Sequence, residues 1–191
     1  MRFRSTMIDA ATLQRDCEVC CVLNGSLDFL YCNPAWDQFA QANGGTPEVF
    51  GAALMHRNLL QFVPEVLKTF FINNLYALRP GRSIWHHRYE CSSPSEFRVF
   101  ELQALRLADE DEILICHSPI TCRPHNRTPV EPPREPAGVV RMCCHCRRTC
   151  LDSGSGIWEW VPEYVARAPK QCVADLCRPC ADYYRHGGVL T

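Results

Sequence analysis

Short apolar runs open the chain. Glu18 to Leu23 and Leu27 to Cys32 read as two strands, and Asn24-Gly25-Ser26 between them supplies a tight hairpin connection. Asn33-Pro34 then has the form of a helix start, with Asn33 placed to cap it and Pro34 in the first turn. Trp36, Phe39 and Ala40 share one face before Asn43-Gly44-Gly45 stops it. A longer helical pattern runs from near Pro64 to Leu78, with Val66, Leu67, Phe70, Phe71 and Leu75 expected to be buried before Pro80-Gly81. Three further strand patterns follow, Ser83 to Cys91, Phe97 to Leu107 and Ile113 to Ile120, broken at Ser92-Ser93-Pro94 and at 108–112. The order is two strands, helices, three strands.

The pattern changes after Ile120. Prolines at 124, 129, 132, 133 and 136 deny the backbone both donors and helical geometry, so 121–138 reads as a linker. Beyond it, 139–191 carries two knuckle-spaced pairs, Cys143-x-x-Cys146 and Cys177-x-x-Cys180. A two-residue gap lets a tight turn aim two thiolates at one ion, and two such turns complete a tetrahedron. Four thiolates leave no open position, which marks a structural site and not a catalytic one. Zinc is the expected ion, and an iron-sulfur cluster is the chemical rival. Between the pairs, Ile157 to Val161 reads as part of a small hairpin, and a short helix is expected from Cys180 to Arg185.

Composition narrows the picture. The 191 residues are 47% apolar and 21% charged, as in a globular protein of one ordinary domain and a smaller module. Lys plus Arg number 20 against 21 Asp plus Glu, so nucleic acid and anionic membranes are disfavoured partners. No signal peptide or membrane span is expected, which points to the cytoplasm. There, the fourteen cysteines are better explained by metal than by disulfides. Cys17, Cys20, Cys21, Cys32, Cys91 and Cys116 are read as small buried hydrophobes, although Cys17-x-x-Cys20 has redox or ligand spacing. His86 and His87 should face opposite ways on a strand. His56, a conceivable haem ligand, has no partner pattern, and His145, Cys144, Cys150 and Cys172 are extra donors near the quartet.

The segment LDFLYCNPAWDQFAQANGG, from Leu27 to Gly45, together with the element order resembles a PAS domain, and GRSIWHHRYECSSPSEFRVFELQALRL resembles that family's last hairpin in bacterial sensory proteins. This resemblance covers about 17–120, after an N-terminal segment, 1–16. It implies an α+β fold with a five-stranded antiparallel sheet, helices on one face, and a pocket for a small ligand or a surface for pairing. Trp36, Phe62, Phe70, Phe71 and Trp85 are the residues expected to line such a pocket. Residues 140–184 are similar to the treble-clef-like cysteine module that ends some response regulators and PAS proteins. The resemblance implies a non-enzymatic sensor or adaptor with a protein partner, paired as a homodimer through Met7 to Asp16. The alternative is a thiol redox switch working through the C-terminal Cys-x-x-Cys pairs. No nucleotide loop, activated serine or hydrolase constellation is evident.

Overall fold

The computed structural model describes residues 18–78, 84–107, 111–133, 138–152 and 154–188. Cys17, the Met7 to Asp16 segment, Pro80-Gly81 and Pro136 lie outside the described residues.

Strand β1 (Val19–Asn24) pairs antiparallel with β2 (Phe29–Cys32) on one side and with β5 (Glu112–Pro124) on the other. With β4 (Glu96–Arg106) and β3 (Ile84–Glu90) they make a five-stranded sheet in the order β2-β1-β5-β4-β3. Bonds from Cys91 N–H to the Arg98 carbonyl and from Ser93 N–H to the Glu96 carbonyl turn β3 back along β4. A Leu107 N–H to Glu112 carbonyl bond does the same for β4 and β5. This is the five-stranded antiparallel sheet expected from the PAS resemblance.

Helix α1 (Pro34–Ala42), a short α2 (Gly51–Leu54) and α3 (Glu65–Tyr76) fill the connection from β2 to β3. The start of α1 is fixed by Asn33, whose Oδ1 accepts the N–H of Trp36. Registers Cys21↔Cys32, Cys21↔Ile115, Leu23↔Phe29 and Leu23↔Ile113 put these residues on one sheet face. Trp36 and Phe62 both meet Phe29 edge-on, at 5.8 and 6.0 Å, so α1 and the turn after α2 cover that face. Gly51 approaches so closely that a Cβ there would stand 2.9 Å from Cys32 Cβ. The opposite face carries a second apolar group, Cys20, Val22, Leu107 and Leu114.

Several expectations shift. The second strand starts at Phe29 and not at Leu27, because Leu27 turns into the left-handed region, φ 68°, to close the loop with its side chain fully buried. Within α3, Leu67 and Leu75 are buried as expected but Val66 is 46% exposed, since the buried stripe passes beside it. His87 is buried and His86 is not, as their adjacent strand positions require. β5 runs four residues past Ile120, as far as Pro124.

The tail forms a second, three-stranded sheet, β7-β6-β8. β6 (Val140–Cys143) pairs antiparallel with β7 (Thr149–Cys150) and parallel with β8 (Cys172–Asp175). The expected hairpin contact appears as the Thr149↔Glu159 bridge. Helix α4 (Pro162–Ala166) places Tyr164 against Val140, Met142 and Val161, and α5 (Arg178–Arg185) ends the described chain.

By contact density the chain forms two units. One comprises 1–63, 71–87 and 101–118, and the other 64–70, 88–100 and 119–191. β3, β4 and β5 therefore each contribute residues to both.

Candidate metal centre

β6 delivers Cys143 at its last position, and the chain then turns sharply. Arg147 takes φ 62° and donates its N–H to the Cys143 carbonyl at 2.9 Å, which folds Cys146 back towards Cys143. The parallel neighbour β8 ends at Asp175, whose carbonyl accepts the N–H of Cys144 at 2.9 Å. Two residues later Cys177 stands as the N-cap of α5, with Pro179 in the first turn and Cys180 one turn on. Strand pairing thus aligns the two knuckles. In each, the N–H of the second cysteine reaches the sulfur of the first, Cys146 to Cys143 and Cys180 to Cys177.

All four side chains are buried, and their sulfur atoms lie within 4.8 Å of one another, with Cys146 Sγ and Cys177 Sγ 3.6 Å apart. Sulfurs bound tetrahedrally at a zinc–sulfur length of about 2.3 Å stand roughly 3.8 Å apart. The spacing and the all-sulfur donor set fit a thiophilic ion. Four buried cysteines near one another can hold a metal. Thiol hydrogen bonds from Cys146, Cys177 and Cys180 hold Cys143 far below the usual thiol range, while the same contacts drive Cys180 far above it. The crowding of sulfurs therefore favours a thiolate in the cluster, the form that binds a metal ion. A divalent cation bound there would balance that charge and displace thiol protons.

Surrounding groups fix the frame. Trp158 and Leu176 pack on the cluster, and Arg141 forms an ion pair with Asp175 at 3.0 Å while lying over the Trp158 ring. Arg127 makes a two-pronged bond with Glu90, at 2.8 and 2.7 Å, and also donates to the Cys146 carbonyl at 2.9 Å. The extra donors take other partners. His145 Nδ1 sits 3.0 Å from the Tyr184 hydroxyl, and burial lowers its pKa. Burial pushes Cys144 up to about 12. Cys150 donates to the Asp152 carbonyl, and Cys172 packs among Val140, Met142 and Val161.

The five aromatic residues expected around a ligand each make ring contacts. Trp36 and Phe62 meet through Phe29, Phe71 meets Trp85 at 5.5 Å, and Phe70 packs edge-on against Tyr184 at 4.9 Å. A concavity that sequence reasoning missed lies in the tail's own unit, about 480 Å³ in volume and lined by Phe97, Arg127, Arg148, Trp158 and Trp160 among others. Phe97 stands 61 or more positions from Trp158 and Trp160, so only the fold could unite them. Among the described residues, no helix is long and apolar enough to cross a membrane.

No family model matches the chain. No curated protein matches it either. Solved structures do. The photoactive yellow protein domain of the sensor histidine kinase Ppr from Rhodospirillum centenum aligns with 62% of this chain and 99% of its own, at 13% identity and a TM-score of 0.39. A PAS domain of an HTR-like protein from Haloarcula marismortui aligns with 58% of this chain and 87% of its own, at 14% identity and a TM-score of 0.36. The PAS domain of nitrogen regulation protein NR(II) from Vibrio parahaemolyticus aligns with 58% of this chain and 95% of its own, at 12% identity and a TM-score of 0.31.

Proposed function

We propose that the chain is a non-enzymatic signalling protein of the cytoplasm, a PAS-like sensor or adaptor whose tail is organised by one structural zinc ion. The four-sulfur cluster carries this reading. Its ligands are buried and come from two knuckles locked in register, and a closed site of that kind stabilises a fold instead of turning over substrate. Zinc is favoured over an iron-sulfur cluster because the sulfur spacing suits a single ion.

In this reading the five-stranded unit binds a small ligand or a protein, and the tail presents a second interaction surface. The concavity beside Trp158 and Trp160 supports the latter, since Arg148 supplies a cation for a partner's carboxylate while the indole faces offer apolar contact. A homodimer formed through the N-terminal segment belongs to the same proposal.

Native mass spectrometry of the freshly purified full chain tests these points together. One zinc per chain and a doubled mass are expected. Metal-free protein with one unusually reactive C-terminal thiol would replace the zinc reading with thiol redox chemistry, and iron with sulfide would replace the ion.

A further inference from the structure

β1 and β5 bring two cysteines, 96 positions apart in sequence, to the same place. Cys20 and Cys116 are directly opposed in the register, and their sulfurs lie 2.7 Å apart. The reason is visible in the backbone. Cys20 gives its N–H to Asn33 Oδ1 at 3.1 Å and receives the Asn33 N–H on its carbonyl at 3.0 Å, so both its polar groups point away from β5. Opposite Cys116 it therefore occupies a non-hydrogen-bonded site, where facing Cα atoms approach to about 4.5 Å and side chains come closest. That spacing falls inside the range a disulfide needs, about 4.4–6.8 Å.

We propose that Cys20 and Cys116 are a site of reversible oxidation, forming a cross-strand disulfide with a peroxide as oxidant. Cys116 is the partly exposed member and Cys20 the fully buried one. The Cys116 sulfur attacks one peroxide oxygen. The O–O bond breaks, hydroxide leaves and takes a proton to become water, and Cys116 becomes a sulfenic acid. The Cys20 sulfur then attacks Cys116, the S–O bond breaks, and a second water leaves with the Cys20 proton. Two thiols and one peroxide give one disulfide and two waters, and a dithiol reductant returns both thiols by exchange. Cys21 and Cys32 make a useful contrast. They are also directly opposed, but burial pushes Cys32 up to about 12 and Cys21 well above its usual value, which leaves both as unreactive thiols.

The experiment treats the metal-loaded full chain with a small excess of hydrogen peroxide, maps peptides without reduction, and follows metal release in parallel. A linked Cys20–Cys116 peptide is expected in most molecules before metal is lost. The melting temperature should rise by about 5 °C or more, because the bond closes a long loop, and dithiothreitol should reverse it. Cys116→Ala should show neither the link nor the rise, while Cys122→Ser should keep both. If Cys116→Ala fails to fold, the peptide map of the unsubstituted chain decides alone. A pair that stays reduced while the metal-site cysteines oxidise, or Cys21–Cys32 linked in equal yield, overturns the proposal.

Discussion

At the residue scale, Asn33 shows how much one side chain can hold. It is 1% exposed, accepts the N–H groups of Cys20 and Trp36, and donates to the Glu18 carbonyl at 2.7 Å. It caps a helix and splices that helix to the first strand at once. Asn33→Ala removes three side-chain bonds, two accepted and one donated, although the Trp36 N–H keeps its bond to the Asn33 carbonyl at 3.0 Å, and we expect a loss of about 2 kcal/mol in urea unfolding. Asn33→Asp keeps the acceptor but not the donor and should fall between the two. A loss under about 0.5 kcal/mol for the alanine variant would show that water replaces all three bonds. The capping role was legible in the Asn-Pro pair, because capping is local chemistry. The Cys20 bond was not, nor was the meeting of Cys20 with Cys116, since both depend on which strands become neighbours.

Elements follow the same division between local and distant causes. The strands of the five-stranded sheet and both longer helices beside it were readable from periodicity, and knuckle spacing named four cysteines that the fold brings together. β8 escaped notice. It is four residues long, Val173 and Ala174 on it are exposed, and its parallel pairing with β6 depends on a partner some thirty positions away. α5 is the element most dependent on the proposed centre, because its N-cap is a proposed ligand and its helical interior is only eight residues long. Isolated helices of that length do not hold in water. Cys177→Ser should therefore bring metal content close to zero and remove amide-exchange protection from β6, β8 and α5, while protection in β1 and the start of β5 stays. A structural zinc contributes on the order of 10 kcal/mol to a small module, so a partial effect is not expected. Retention of full metal and unchanged exchange would show that Cys177 is not a ligand.

For the whole molecule, stability should depend on pH through His117. Burial lowers its pKa to about 4, and the ring packs edge-on to Trp36 at 6.5 Å. Unfolded histidine titrates near 6.5. Between those values the unfolded chain binds a proton that the folded chain refuses, so stability is full above about pH 6.5 and declines as pH falls towards 4. Part of the residue still reaches solvent, which limits the loss to about 1–2 kcal/mol. Unfolding free energies compared with those of His117→Phe between pH 7 and 5 should diverge in this direction. Parallel curves would remove His117 as the cause.

The interleaving of the two compact units bears on synthesis. A ribosome that has released the first 118 residues has delivered every segment of one unit. The other has only two of its three segments at that moment. Glu90 has left the exit tunnel without Arg127, and Phe70 without Tyr184, so a carboxylate and an aromatic ring wait in water for partners still to emerge. At about 5–20 residues per second, residues 119–191 take several seconds to appear. The second knuckle then supplies its sulfurs together with the helix that carries Cys180, so the proposed metal can be captured only after both units' segments have emerged.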